Sequence, residues 1–311
     1  MDKLINGIHH ITALVDEPKK NIDFYTGILG LRLVKRIVNS DAPDIYHFYF
    51  ESGTSTSGTL LTFWPHCYTQ NGRSGHGMVS TILFSVSLSS FRYWEKRLKK
   101  FHVNTTEFKE RFEDELVFYF KDNDGLGLGL VFNDKDSRPG FTDGHIPIEY
   151  SIKGFYSAEI RVADYARTAA LLTEQLDHKL IAEKENRFRF ATSDKTGNYL
   201  DLLYSPDPIC GLGRCGTVHH IAFSTDSEEI QTLARNKMLK KMLHPTPVID
   251  RKYFKSVYFR EPGGVLFEIT TIPPAFLFDQ NVENLREELE PPPKYEQPRD
   301  EIAKILQPFT V

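Results

Sequence analysis

The 311-residue sequence predicts an α+β protein that consists of four βαβββ modules. Three observations support this fold class. One strand, one helix and a further group of strands follow one another four times along the chain, which is the pattern of an internal repeat. The stretch GIHHIT at residues 7–12 returns as TVHHIA at residues 217–222. A linker rich in proline, glycine and polar residues, at 136–151, separates the second module from the third.

The first module covers residues 6–66 approximately and sets the pattern for the others. Its opening stretch, IHHITALV, is a predicted strand. A helix follows, in which Pro18 suits the first turn and Gly30 suits the residue after the last turn. Three stretches rich in β-branched and aromatic residues then read as strands, namely LRLVKRIV, DIYHFYF and TLLTFWP.

The other three modules repeat this order of elements with little sequence identity. The second, at about 76–135, has the strand MVSTILFSVS, a helix and a hairpin around the turn DNDG. The third, at about 153–205, begins with the strand FYSAEIRV and continues with a longer helix. The fourth, at about 215–273, begins with VHHIAFST and closes with a hairpin whose turn is EPGG.

Charge and hydropathy exclude several classes of protein. The formal net charge is −4, and no long basic block provides the footprint of a nucleic-acid-binding protein. No apolar stretch has the length of a signal-peptide core or of a membrane span. The three cysteines are few and odd in number, which is typical of a reducing compartment. We therefore expect a cytoplasmic protein that binds neither nucleic acid nor a membrane.

Two histidine pairs occupy matching positions of modules one and four, and they are candidate metal ligands. Successive side chains of a strand point to opposite faces, so His9 and His10 cannot both reach one ion from a regular strand. The face of His9 continues with apolar residues, whereas the face of His10 is less apolar. The same comparison separates His219 from His220. The second histidine of each pair, His10 and His220, is therefore the predicted ligand.

The third predicted ligand is Glu268, in the stretch GGVLFEITT. An acidic side chain in the middle of an apolar strand is unfavourable to bury unless a cation or another group pairs with it. Two neutral imidazoles and one carboxylate form the facial triad of non-haem Fe(II) or Mn(II) sites, which keep positions open for substrate and oxygen.

The other modules lack this combination of residues. By alignment, Ser80 and Ser157 occupy the histidine position of modules two and three. The carboxylate position holds Thr62 in module one and a glycine or leucine in module two. Module three has Asp201 there, without a histidine beside it. The sequence therefore predicts one site, shared by modules one and four.

Repeated βαβββ modules with ligands on their first and last strands resemble the vicinal oxygen chelate superfamily, which includes glyoxalase I, bleomycin-resistance proteins and extradiol dioxygenases. The resemblance covers nearly the whole chain and is closest to the hydroquinone ring-cleaving dioxygenases related to 2,6-dichlorohydroquinone 1,2-dioxygenase. Six stretches carry it: HHIT at 9–12, LVKR at 33–36, IYHFYF at 45–50, LDLL at 200–203, VHHIAF at 218–223 and YFREPGGVLFE at 258–268.

The resemblance implies a fold and a function for this chain. Two paired-module domains with curved mixed sheets would occupy 1–140 and 150–275, followed by a C-terminal tail at 276–311. The activity would be ring cleavage of a hydroquinone-type or catechol-type aromatic with O2. Fe(II), with Mn(II) as the alternative, would be held by His10, His220 and Glu268.

The resemblance also implies a set of pocket residues. Arg251, Thr12 and His9 would bind the substrate, while Tyr258 and His219 would take part in catalysis by moving protons. A position in the pocket for His9 and His219 conflicts with the strand alternation, which directs both toward the apolar face. A strand end or a β-bulge would remove the conflict.

Two other functions on the same fold stay open. A glyoxalase-like isomerase or lyase uses four protein ligands, and Thr62 at the carboxylate position of module one disfavours it. A non-catalytic protein that binds an aromatic molecule or drug has no need of two histidines and a glutamate at ligand positions. The expected partners are a small aromatic substrate and O2, and the sequence leaves open whether the chain forms a homo-oligomer.

Overall fold

The computed structural model describes most of the chain. The described residues are 3–39, 41–42, 44–52, 59–65, 70–106, 109–112, 115–141, 145–193, 197–206, 209–251, 254–272 and 306. The C-terminal tail predicted at 276–311 lies outside them, apart from residue 306.

Strands dominate the described part of the chain, and the helices are short. The strands are β1 (Gly7–Val15), β2 (Arg32–Val38), β3 (Tyr46–Glu51), β4 (Leu60–Pro65), β5 (Met78–Val86), β6 (Lys109–Glu110), β7 (Leu116–Lys121), β8 (Gly127–Phe132), β9 (Phe155–Val162), β10 (Lys179–Lys184), β11 (Arg187–Ala191), β12 (Tyr199–Tyr204), β13 (Thr217–Thr225), β14 (Ile249–Asp250), β15 (Lys255–Arg260) and β16 (Leu266–Thr271). The α-helices are α1 (Pro18–Ile22), α2 (Phe91–Lys100), α3 (Tyr165–Gln175) and α4 (Glu228–Lys240).

The strands form two eight-stranded sheets, each of which combines two modules. The outer-module sheet contains modules one and four, in the order β14-β15-β16-β13-β1-β4-β3-β2. The inner-module sheet contains modules two and three, in the order β10-β11-β12-β9-β5-β8-β7-β6. Mixed sheets with few helices confirm the predicted α+β fold. Each sheet combines one module from the first half of the chain with one from the second half. The domain boundaries at 1–140 and 150–275 stay a prediction.

The two sheets have the same internal arrangement. In the outer-module sheet, β1 and β13 are antiparallel at the centre, with β4 parallel to β1 and β16 parallel to β13. In the inner-module sheet, β5 and β9 form the central antiparallel pair, with β8 and β12 beside them. Each position of one sheet therefore has an equivalent in the other.

A β-bulge interrupts the first strand of every module. The pairing of β1 with β13 passes over His9 on one strand and His219 on the other. The pairing of β5 with β9 passes over Ser80 and Tyr156 in the same way. A bulge inserts one unpaired residue, so the residues on either side of it keep their faces while the extra residue is redirected.

Burial along β1 shows the effect of its bulge on the core. Ile8, Ile11, Ala13 and Val15 all belong to one hydrophobic cluster, although Ile8 and Ile11 are three positions apart. A regular strand would place those two isoleucines on opposite faces. The bulge at His9 returns both to the core face and leaves the other face for polar side chains.

The first helix differs from its predicted form. Pro18 begins α1 and Gly30, with φ of 71°, follows the last turn, both as predicted. Between them, α1 ends at Ile22 and a π-helical turn (Asp23–Ile28) continues it, with Phe24 and Tyr25 both buried. Two adjacent aromatic residues thus reach the core from one turn.

Apolar packing joins the sheets and reaches the tail. The main hydrophobic cluster includes Ile8 and Phe223 of the outer-module sheet together with Val79 and Ile160 of the inner-module sheet. Leu306, the one described residue of the tail, is buried against Val38. Among the described helices, none is both long enough and apolar enough to cross a membrane.

Candidate metal centre

Three strands of the outer-module sheet bring the predicted metal ligands together. His10 lies on β1, His220 on β13 and Glu268 on β16, and one ligand atom from each falls within 4.8 Å of the others. Glu268 Oε2 is 2.9 Å from His220 Nε2 and 3.3 Å from His10 Nε2. The two Nε2 atoms are 3.2 Å apart. All three side chains are buried, which separates the cluster from bulk water.

The strand register explains this convergence. Ala222 of β13 lies opposite His10 on one side and opposite Glu268 on the other. Opposite residues on neighbouring strands share a face, so His10 and Glu268 approach each other across the small side chain of Ala222. His220 is two residues away from Ala222 and therefore points to the same face.

The bulges also resolve the conflict over the first histidine of each pair. His9 Nδ1 lies 2.9 Å from His10 Nδ1, and His219 Nδ1 lies 2.8 Å from His220 Nδ1. When His10 and His220 donate these Nδ1–H groups, their Nε2 lone pairs face Glu268 and are free for a metal. Hydrogen bonding at the other ring nitrogen is the usual support of a metal-binding histidine.

The electrostatic environment lowers the pKa of the His9 and His220 imidazoles and of the Glu268 carboxyl group. Burial, followed by the charge of His10, lowers the pKa of His9 to about 3. Burial also lowers the pKa of His220. For Glu268 burial acts in the opposite direction, but the contacts with His10 and His220 outweigh it and hold the pKa well below the ordinary value. Neutral imidazole and ionised carboxylate are the protonation states that bind metal ions.

These residues fit a divalent metal ion. Glu268 Oε1 accepts a hydrogen bond from Ser256 Oγ at 2.5 Å. Glu268 Oε2 is also buried, yet it accepts no hydrogen bond from any residue in the described part of the chain. An unpaired buried carboxylate oxygen is unfavourable unless a cation compensates it. Two histidine nitrogens and one such oxygen, directed at one another, could hold an ion.

The predicted pocket residues surround this cluster. Thr12 Oγ1 lies 3.0 Å from His220 Nε2 and 2.7 Å from Thr62 Oγ1. Tyr258 is opposite Glu268 in the sheet, and its ring centre is 5.6 Å from that of His220. The guanidinium of Arg251 lies 5.3 Å from the centre of the Tyr258 ring. The structure thus brings Thr12, Tyr258 and Arg251 to the metal-ligand face, while their roles stay predictions.

Three further residues of this face are absent from the sequence prediction. Tyr49 is opposite Thr62, and Tyr49 Oη lies 2.9 Å from Nδ1 of His47. The ring of Trp64 lies 4.6 Å from that of His219 and 5.6 Å from that of His47, between centroids. The sequence contained one signal for these residues, which is that His47 alternates with Tyr49, and Thr62 with Trp64, along their strands. It has meaning only once β3 is known to lie beside β4.

The equivalent face of the inner-module sheet holds a network of ion pairs. Asp201 occupies the position of Glu268, and Arg189, opposite it, occupies the position of Tyr258. Arg189 binds Asp201 at 2.7 Å and Arg111 also donates to it. Glu159 occupies the position of Ala222 and pairs with Arg111 at 3.4 Å.

The inner-module register also corrects one alignment. Thr81, and not Ser80, takes the position of His10, because the bulge residue Ser80 is the equivalent of His9. Ser157 is the equivalent of His220, as aligned. A cavity of about 710 Å³ opens beside Thr81, and its lining includes none of the three predicted metal ligands.

Comparisons with known proteins agree with this geometry. The model of the "Glyoxalase/Bleomycin resistance protein/Dioxygenase superfamily" matches residues 7–130 and 154–269. "Putative ring-cleaving dioxygenase MhqO" of Bacillus subtilis is 39% identical over 100% of this chain and 99% of its own. The "Chlorohydroquinone/hydroquinone 1,2-dioxygenase" of Sphingobium indicum is 29% identical over 97% of this chain and 96% of its own.

Solved structures give the same result. A crystal structure described as a putative dioxygenase from Bacillus subtilis has a TM-score of 0.92 and 38% identity, covering 99% of this chain and 98% of its own. Glyoxalase I from Zea mays shares the fold, with a TM-score of 0.62 at 16% identity over 85% of this chain and 92% of its own. The chain therefore belongs to the glyoxalase/bleomycin resistance protein/dioxygenase superfamily, in the group that contains MhqO.

Proposed function

We propose that this chain is an Fe(II)-dependent ring-cleaving dioxygenase of the extradiol type, with Mn(II) as the alternative metal. Its substrate would be a hydroquinone-type or catechol-type aromatic. The observation that carries the proposal is the convergence of two buried histidines on a carboxylate oxygen that is otherwise unpaired. Two relatives that match nearly the whole chain support it, one named as a putative ring-cleaving dioxygenase and the other as a chlorohydroquinone/hydroquinone 1,2-dioxygenase.

The number of protein ligands favours dioxygenase chemistry over isomerase chemistry. Thr62 of β4 is the equivalent of Glu268 by register, and its hydroxyl is hydrogen bonded to Thr12. A fourth protein carboxylate, of the kind that a glyoxalase-like site uses, is therefore replaced by a neutral hydroxyl group. Three protein ligands leave several coordination positions for small molecules.

The metal and the chain would have separate tasks in this reaction. When bound, Fe(II) would bring an oxygen of the substrate and O2 together and allow electrons to pass from the ring to O2. Both oxygen atoms enter the ring-opened product, so no external reductant is needed. The guanidinium of Arg251 would stabilise negative charge that develops on the substrate oxygen.

Proton transfer would fall to Tyr258 and His219. Burial is the main cause that raises the pKa of Tyr258, so this phenol keeps its proton and can donate it. Burial lowers the pKa of His219 to about 3, so this imidazole is neutral. When its Nδ1 accepts the hydrogen bond from His220, its own hydrogen is on Nε2 and can be donated. Two groups that keep their protons beside the site suit general acid catalysis. Thr12 and His9 would help to hold the substrate.

Oxygen uptake tests the proposal directly. The protein is reconstituted with Fe(II) under anaerobic conditions, and oxygen consumption is recorded with methylhydroquinone, chlorohydroquinone and catechol. We expect uptake coupled to loss of the aromatic absorbance, and its absence in Glu268→Gln. The matched control is Ser157→Ala, at the position of His220 in the inner-module sheet, which should keep full activity. Stoichiometric bound metal without oxygen uptake would overturn the proposal in favour of the isomerase, and absence of metal binding would favour a non-catalytic binding protein.

A further inference from the structure

Two buried nitrogen atoms on the metal-ligand face have no hydrogen bond to any described residue. They are Nε2 of His47 on β3 and Nε1 of Trp64 on β4. Buried polar groups in folded proteins are almost always paired, so an unpaired nitrogen beside a binding site indicates a missing partner. The two rings are in edge contact, with 5.6 Å between their centroids, so their unpaired nitrogens belong to one region.

This region is continuous with the metal ligands. Trp64 lies 5.8 Å from His220 between ring centroids. His47 and Tyr49 alternate on β3, and Tyr49 is opposite Thr62, whose hydroxyl binds Thr12. In the order β1-β4-β3, the strand that carries His47 is two positions from β1, which is about 10 Å at the usual strand spacing.

Tyr49 determines which ring nitrogen of His47 carries the hydrogen. Burial, and then the neighbouring His10 and His220, lower the pKa of His47 well below its ordinary value. A neutral imidazole carries one hydrogen. With Tyr49 Oη as the donor to Nδ1 of His47, at 2.9 Å, that hydrogen resides on Nε2. His47 then offers an N–H donor in a buried, mostly aromatic wall.

We propose that Nε2 of His47 donates a hydrogen bond to a ring oxygen para to the oxygen that binds at the metal ligands. This proposal rests on the proposed function. A para-dihydroxybenzene has its second oxygen one ring away from the first, and the proposal directs that oxygen toward β3. A catechol places both oxygens at the metal side, and a simple phenol has no second oxygen. His47 is therefore a residue that selects 1,4-dihydroxy aromatics.

The test is ligand binding in the absence of O2. Dissociation constants of hydroquinone, phenol and catechol are measured by calorimetry on anaerobic, Fe(II)-reconstituted protein. For His47→Phe, which keeps the ring but removes the donor, we expect hydroquinone to bind about tenfold more weakly, as for loss of one buried hydrogen bond. Phenol and catechol should change by less than about twofold.

Conservative and matched variants separate recognition from structure. His47→Gln retains an N–H donor and should recover part of the hydroquinone affinity. Tyr49→Phe removes the group that orients His47 and should give a smaller loss. Tyr119→Phe is its control, because Tyr119 occupies the equivalent position on β7 opposite Gly129. That variant should bind all three ligands like the unmodified protein.

The outcomes distinguish this inference from the proposed function. An unmodified protein that binds phenol as tightly as hydroquinone would overturn the role of His47, whatever its oxygen uptake. An equal loss of all three ligands in His47→Phe would show a structural role and would also overturn it. His47→Phe could selectively lose hydroquinone binding while the unmodified protein shows no oxygen uptake in the earlier assay. That result would support the role of His47 and overturn the dioxygenase proposal.

Discussion

The two sheets of this protein use one framework for opposite purposes. Each has a central antiparallel strand pair, a bulge in each central strand, and a buried carboxylate at the same position, Glu268 or Asp201. In the inner-module sheet the chain itself supplies the countercharge, through Arg189 and Arg111. In the outer-module sheet two histidines face the carboxylate, and one of its oxygens has no hydrogen bond to the described residues.

A binding site is thus defined by the buried charge that the chain leaves without a countercharge. Buried ion pairs are costly to break, because removing one partner leaves an unpaired charge behind. A buried carboxylate beside imidazoles instead gains stability from an added cation. The inner-module network thus compensates its own charges, whereas the outer-module cluster would be completed by the proposed metal ion.

The largest expected effect separates metal binding between the sheets. Glu268→Gln should lower metal affinity by more than about 100-fold, since a direct ligand contributes more than the supporting residues whose loss costs 10–100-fold. Asp201→Asn should retain bound metal in its folded form. Metal content after dialysis, measured by mass spectrometry, gives the result. Stoichiometric metal in Glu268→Gln would contradict the assignment.

Folding stability should show the reverse order. Asp201→Asn leaves the guanidinium groups of Arg189 and Arg111 partly unpaired, so we expect the metal-free protein to lose about 3–5 kcal/mol of unfolding free energy. Glu268→Gln should change the metal-free protein by less than about 1 kcal/mol, because the substitution removes a buried charge that is incompletely paired. Urea denaturation of both variants provides the measurement. Equal losses would remove the distinction between the two sheets.

The bulge positions offer a finer comparison. His219→Gln should weaken metal binding by about 10–100-fold, because it alters the hydrogen bond that orients His220. Tyr156→Phe, at the equivalent bulge, removes a hydrogen bond to Glu115 and should leave metal affinity unchanged. Metal titration calorimetry distinguishes the two. Similar affinities in both variants would show that the bulge histidine has no supporting role.

The last comparison concerns acid sensitivity. Burial lowers the pKa of His178, which packs on Phe223 of the outer-module sheet, to about 4. Its contribution to stability is complete above the unfolded value near 6.5 and is lost as the pH falls toward 4, by about 1 kcal/mol per pH unit.

The carboxyl group of Asp201 responds in a lower pH range. Burial would raise its pKa, but Arg189 and Arg111 outweigh burial and lower it. Its contribution is therefore present above the unfolded value near 3.9 and is lost only below it. His178→Gln should flatten the loss of unfolding free energy between pH 6.5 and 4, measured by denaturation at each pH. An unchanged slope would show that His178 is not the group responsible.

The sequence predicted the fold class and the three candidate ligands because both depend on local patterns. The strand order of one module repeats, and His10 and His220 occupy equal places in their copies. The sequence also predicted one site shared by modules one and four, but not that their strands join in a single sheet, since that depends on which strand edges meet. The network of Arg111 and Arg189 was hidden for the same reason. Its members come from different strands and loops, and only the assembled sheet brings them to Asp201.

Modules two and three lie in sequence between modules one and four, and this determines the order in which the two sheets can assemble during synthesis. The partner of β1 is β13, about 200 residues further along the chain. At a ribosomal rate of about 5–20 residues per second, the unpaired edge of β1 waits roughly 10–40 s for that partner. The inner-module sheet can close during this time, whereas metal can be captured only when the last strand has emerged. Nascent chains arrested before residue 268 should therefore bind no iron.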